Sequence, residues 1–221
     1  GPLPLFPLTG TLLLPGSFLP LNVFEERYRA MVEDAMDGER FIGMIQPFLP
    51  RDDNSPSLEV LLEEVEDNPP LYEIGCAGRI ERCDPQSDGR FHLLLRGVSR
   101  FRIKGELPLH RGYRRGNADF SEFVADVEEP FASLDATRVL GALEAFARRH
   151  GLGFDRDVLA ALSGVGLVNG LAVALPFHPA EKQALLEAAG PRVREELLLA
   201  LMDMGLDASE PLSSYPPPLL N

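Results

Sequence analysis

The chain changes character once, near Pro130, and that single change restricts its architecture more than any motif does. Before it, short apolar runs are broken by Gly, Pro, Asn and Asp, the pattern of strands joined by tight turns. After it, apolar residues recur every three to four positions, the pattern of helices. Strands gathered on one side and helices on the other imply an α+β fold, not alternating βαβ units. With 221 residues the chain can bury a substantial core as one large domain or two modest ones. The expected division is a β-rich unit over 3–125, a helical unit over 131–206 and an extended tail over 207–221.

Within the first part, Leu3 to Phe6 and Thr11 to Leu14 read as short strands separated by Pro7, Gly10, Pro15 and Gly16. A helix is expected next, with Phe24, Tyr28, Met31, Val32 and Ala35 on one face. Asn22 and Glu25 stand at capping-box spacing, and Gly38 ends the element. Phe41 to Gln46 reads as a buried strand. The stretch from Pro47 to Pro70 is rich in Pro, acids and Asn, and only Leu58 to Val65 within it has strand character. A connection of that length suggests ligand contact or mobility. Tyr72, Ile74, Cys76, Gly78 and Ile80 alternate with Glu73, Gly75, Ala77, Arg79 and Glu81, the clearest period-two signal in the chain. Asp84 to Gly89 supplies a turn, Phe91 to Leu95 returns, Phe101 and Ile103 begin another strand, and a last strand ends near Phe120. Five or six mostly antiparallel strands and one helix would leave sheet edges open unless they close into a small barrel.

The second part carries five helical segments. Val139, Leu143, Phe146 and Ala147 form a stripe behind a Ser133 cap. Asp155 starts a short helix ending at Gly164. Leu167, Val168, Leu171, Ala172 and Leu175 form the next, closed by Pro176, with the glycine-rich Gly164 to Gly170 read as a helix–helix turn. His178 caps a helix with Pro179 in its first turn, running to Gly190. Pro191 opens the last, with Val193, Leu197, Leu198, Leu201 and Met202 on its apolar side. Short links between helices imply an antiparallel bundle.

The chemistry of bond breaking is not legible. No phosphate-cradling G-x-x-x-x-G-K-[ST] occurs, and the glycines at 164–170 lack dinucleotide-binding spacing. His92, His110, His150 and His178 lack ligand spacing. Glu63–Glu64 and Glu128–Glu129 are adjacent and therefore point apart, as solvated surface acids do. Ser163 and Lys182 could form a Ser–Lys pair only if Ser163 occupied a strained turn, for which there is no sign. Cys76 and Cys83 on one strand lie roughly 23 Å apart, beyond disulfide reach, and read as free structural thiols. No enzyme activity, cofactor or metal is expected. The N-terminus lacks a signal peptide's basic region and cleavage site, and no apolar run reaches a membrane span; a cytoplasmic setting is expected. Formal charge is −13, which disfavours nucleic acid. The stretch Arg90 to Arg115 runs against this, with eight Lys or Arg and one acid. It is either a basic stripe for RNA or the solvated face of a hairpin, on which Arg100, Arg102 and Lys104 alternate with Phe101 and Ile103.

Several segments together resemble a known family. PLFPLTGTLLLPGSFLPLNVFEERYRAMVEDA, FIGMIQP, LYEIGCAGRIERCD and DGRFHLLLRGVSRFRI, in this order and spacing, are similar to the N-terminal substrate-recognition domain of the Lon protease family over residues 3 to 120. LPFHPAEKQALLEA looks like the helical extension of short bacterial proteins that carry this domain alone. The resemblance implies a PUA-like barrel followed by a helical bundle, and recruitment of unfolded or damaged polypeptides. The family's ATPase and Ser–Lys catalytic modules are not expected in 221 residues, and VNGLA (168–172) matches only a fragment of the latter. The function expected is a non-catalytic polypeptide-binding module, serving as an adaptor or regulator of proteolysis. The alternative is an RNA-binding PUA-like protein. Expected partners are unfolded or partly folded polypeptides and a protease. An exposed apolar patch would carry such binding, and Phe18, Leu19, Phe48, Leu49, Leu71 and Tyr72 are the candidates because they flank proline-rich, irregular segments.

Overall fold

The alternation around Cys76 produces the central element of a mixed six-stranded sheet. The computed structural model describes residues 1–48, 68–128, 134–162 and 164–206. The strands are β1 (Leu3–Pro7), β2 (Phe18–Val23), β3 (Phe41–Ile45), β4 (Ile74–Pro85), β5 (Phe91–His110) and β6 (Tyr113–Asp119), with helix α1 (Glu26–Asp37) between β2 and β3. A 3-10 turn (Ser121–Phe123) and the short α2 (Ala125–Glu128) follow β6. Then come α3 (Ala136–His150), α4 (Arg156–Ala160), α5 (Gly164–Ala174), α6 (Pro179–Glu187) and α7 (Pro191–Met204).

Pairing follows the order β2-β5-β4-β3-β1-β6, with a further pairing of β6 to β5. The long β5 makes this circuit. Its first half lies between β2 and β4, and its second half pairs with β6. Register shifts in the β4–β5 and β5–β6 ladders bend it between the two roles. All neighbours are antiparallel except β1 and β3. Among the described residues, β2 is the one strand with a single partner.

Two apolar clusters form on the two sides of the strands. Leu3, Leu5, Ile45, Ala77 and Phe101 make a cluster built from strand residues alone. A larger cluster joins Phe6, Leu13, Met31 and Leu95 to Val139, Phe146, Leu171, Phe177 and Leu198, so sheet and bundle share one continuous core. Both faces of β4 are therefore buried over Gly75–Gly78, which is why its sequence alternates without placing a polar residue at every second position.

Several local expectations are corrected. Leu12 to Leu14 form no strand; their side chains are buried while the backbone turns, with Ser17 Oγ accepting from the Leu14 N–H. A Cβ on Gly97 would collide with the Leu14 carbonyl, so the close approach of this turn to β5 requires glycine. The segment Phe18–Val23, not read as extended, is β2, and Asn22 lies in that strand opposite His92. No capping box forms: Glu25 precedes α1 without a side-chain cap bond, and Phe24 stays exposed outside the helix. In the bundle, Asp135 caps α3 by accepting from Arg138 N–H; Ser133 is outside the described residues. The short helix after Asp155 ends at Ala160, and Gly164–Gly170 is not a turn but the first part of α5. Burial of Leu167, Val168, Leu171 and Ala172 compensates for the low helix propensity of its glycines, and Gly164 admits the close approach of Leu134. The helix opened by Pro179 stops at Glu187, short of Gly190. Val193 is exposed, and Arg194 and Glu195 are buried instead. The His178 cap forms as expected, with Glu181 accepting from the His178 N–H.

Candidate functional site

The sheet and bundle meet through a polar seam. Gln46 accepts from Gly10 N–H at 2.8 Å and donates to the Pro179 carbonyl and Gln183 Oε1; Gln183 donates to the Ile74 carbonyl. Arg100 reaches across from β5 to the Leu186 and Ala188 carbonyls and pairs with Asp126 of α2 at 2.8 Å, both side chains buried. Its guanidinium also lies over the Phe123 ring. Arg194 donates to Leu185 and Asn169, and Asn169 to Pro15. Burial lowers the Arg194 pKa to about 10. These bonds fix α5–α7 on the sheet and so hold open what lies between them.

Between the outer face of β2 and the bundle lies a groove of about 1260 Å³, lined by Phe18, Pro20 and Leu94 from the sheet and by Leu152, Phe154, Val158, Leu159 and Val173 from the helices. Phe18 is 53% exposed. Asp155 and Arg156 stand at the groove. They are already engaged, Asp155 as the cap of α4 and Arg156 with Glu144.

The six candidate residues separate. Phe18 lies in this groove. Leu19, its neighbour, is 2% exposed and turns inward opposite Leu95, so it supports β2 without offering surface. Phe48, Leu71 and Tyr72 come together elsewhere. Phe48 N–H donates to Pro70 and Tyr72 N–H to Gln46, and the Phe48 and Tyr72 rings meet edge-on at 5.2 Å. Phe48 is 43% exposed, while Leu71 packs partly against the strand cluster. Leu49 is outside the described residues, as are Leu58 to Val65, Glu63 and Glu64. Sequence reading missed Leu94, Leu152, Val158 and Val173 because they converge only through the fold. The alternation of Leu19, Leu21 and Val23 with Phe18, Pro20 and Asn22 was the signal for β2.

The basic stretch is not a stripe. Arg90 pairs with Asp88, Arg96 with Glu81, Arg102 with Glu73 and Glu122, Lys104 with Asp119, Arg111 with Glu33 and Asp34, and Arg114 with Glu106. Arg100 is buried with Asp126 and is not on a solvated hairpin face, and Arg115 donates to the Pro108 carbonyl. Seven of the eight cations are thus paired with an acid of the chain and Arg115 with a backbone carbonyl, so the stretch presents no run of unpaired charge.

Ser163 is outside the described residues. Lys182 is buried on α6, where its Nζ donates to the Val173 carbonyl, and burial lowers its pKa to about 8. Cys76 and Cys83 are free, and burial raises the Cys76 pKa. Among the described residues no group of His, Cys, Asp and Glu could hold a metal, and no helix is long and apolar enough to cross a membrane.

This architecture defines a mixed-sheet α+β domain with a helical bundle packed on it. The chain belongs to the family of the ATP-dependent protease La (LON) substrate-binding domain, which matches residues 2–204. It is 30% identical over 217 residues to Lon protease 2 of Sorangium cellulosum, covering 92% of this chain and 25% of that protein. It is 32% identical over 101 residues to the Lon protease of Dictyoglomus thermophilum, covering 46% of this chain and 11% of the relative. The chain thus spans a quarter or less of these relatives. Among solved structures, a Lon N-terminal domain protein from Xanthomonas campestris is 28% identical, with a TM-score of 0.57 over 91% of this chain and 99% of that one. The N-terminal domain of a Mycobacterium avium complex Lon protease shares the fold at 17% identity, with a TM-score of 0.59 over 92% of this chain and 98% of its own.

Proposed function

We propose that this chain binds unfolded or partly folded stretches of other polypeptides and catalyses nothing itself, acting as an adaptor or regulator of proteolysis in the bacterial cytoplasm. The groove beside Phe18 carries the reading. It is a large apolar hollow on a chain of net charge −13, and folded proteins leave such surface open chiefly where something docks. Membership of a family named for substrate binding supports the same reading. The circuit of five strands, from β5 through β4, β3, β1 and β6 back to β5, fits a PUA-like barrel, and the two unbridged thiols suit a reducing compartment. The second patch, Phe48 with Leu71 and Tyr72, is smaller and serves as an auxiliary contact.

The test is a comparison of affinities for one protein in its folded form and in a permanently unfolded form. Binding at least about tenfold tighter to the unfolded form is expected, weakened about tenfold by Phe18→Ser, as for loss of a central aromatic anchor. Equal and negligible affinity for both forms would sink the proposal.

A further inference from the structure

Which polypeptide conformation the groove takes follows from the edge of β2. Every other strand has at least two neighbours, because the pairing circuit returns from β6 to β5. β2 has only β5. The direction of its main-chain groups can be read from the register. Gly97 N–H donates to the Ser17 carbonyl at 2.9 Å, and the ladder places Phe18 opposite Arg96 and Leu19 opposite Leu95. Odd-numbered residues therefore turn N–H and C=O toward β5, and Phe18, Pro20 and Asn22 turn theirs outward. Pro20 agrees with this parity, since a residue without an N–H is tolerated only on the open side of an edge strand. The outer edge thus presents two donors, on Phe18 and Asn22, and three acceptors, on Phe18, Pro20 and Asn22. Among the described residues nothing pairs with them.

We infer that β2 accepts an extended segment of another polypeptide as an added antiparallel strand, with alternate apolar side chains entering the groove. This rests on the polypeptide-binding reading and specifies its mode. The side chains of Phe18 and Pro20 stand on the same face as Leu94, the face that lines the groove with Leu152, Val158 and Val173. Residues of the incoming strand directly opposite Phe18, Pro20 and Asn22 share that face. The same residues donate their N–H groups to the three outward carbonyls. Side-chain selection and hydrogen bonding therefore fall on one alternate set of client positions. Pro20 leaves one client carbonyl without a donor, which weakens pairing and limits self-association through this edge. Other open stretches, on β4 past Arg79 and on β5 past Ile103, carry Glu81, Arg82 and Asp84 or Lys104 and Glu106, and none lines this groove. Charge there discourages the pairing that an apolar edge invites.

The probe is a short fluorescent peptide of alternating leucine and threonine, titrated in parallel with a permanently unfolded protein. N-methylation of single leucine amides should weaken peptide binding about tenfold or more, and N-methylation of threonine amides less than about twofold, giving a period of two. Pro20→Ala supplies the missing donor and should tighten binding about threefold to tenfold. Loss without periodicity overturns the strand mode, as does failure of the peptide to bind while the unfolded protein binds. In both cases polypeptide binding itself survives, whereas failure of both ligands removes that reading as well. A dimer of the chain formed through β2 that excludes the peptide also overturns the inference.

Discussion

Lys182 enters the bundle interior with the Val173 carbonyl as its hydrogen-bond partner, and no acid forms an ion pair with it among the described residues. Burial therefore disfavours its charged form, and its pKa falls from 10.5 to about 8. Below the folded value both folded and unfolded chains hold the proton, and the folded state bears the whole desolvation penalty. Between about 8 and 10.5 the folded state releases the proton first, so this group's contribution becomes steadily less unfavourable. Above 10.5 the penalty is gone. The stability of the native chain relative to a Lys182→Met variant should thus rise by about 2–3 kcal/mol between pH about 7 and about 10. Urea unfolding of both chains at the two pH values reads it. Comparison with the variant is required because burial also pushes the Tyr113 pKa up to about 12, and tyrosine ionisation opposes stability in alkali. A difference flat with pH would mean that Lys182 is hydrated in the native state.

Among elements, the decisive joint is β5 against α2 and α6–α7, made by Arg100. Truncating it to Leu removes the guanidinium from the Asp126 carboxylate, leaving only the residue-100 N–H as its donor, and frees two carbonyls, at a cost of about 3–5 kcal/mol. Arg100→Leu combined with Asp126→Leu should recover most of that loss, in urea unfolding of both variants. A single-variant loss below about 1 kcal/mol would show that the seam does not hold the bundle in place. This joint also shows where sequence reading reaches its limit. Periodicity places Arg100 on the polar side of its strand, which is correct for an isolated hairpin; only the arrival of α2 and α6 turns that side into an interior. The glycines of α5 mislead for the same reason, since tertiary burial overrides local propensity. The leucines at 12–14 have strand-like composition, yet a turn fixed by Ser17 and Gly97 buries them without a ladder. The change near Pro130, the hairpin around Asp84–Gly89, the helical stripe from Tyr28 to Ala35 and the cap at His178 were legible because each rests on a local signal. Of the groove, Phe18 could be named from its proline-flanked position, but its far wall on α4 and α5 is more than a hundred residues away in the chain.

At the scale of the whole molecule, the pairing circuit, the bundle and the seam between them set an apolar hollow beside an edge unpaired among the described residues, and the account of function depends on those two features coinciding. Amide hydrogen exchange at single-residue resolution, with and without a permanently unfolded polypeptide, examines the coincidence directly. Leu19, Leu21 and Val23, already bonded to β5, should be protected in both conditions. Phe18 and Asn22 should exchange freely in the unbound chain and slow at least about tenfold when the polypeptide is present. Protection confined to the region of Phe48 and Tyr72, or unchanged exchange at Phe18 and Asn22 under saturating polypeptide, would contradict it.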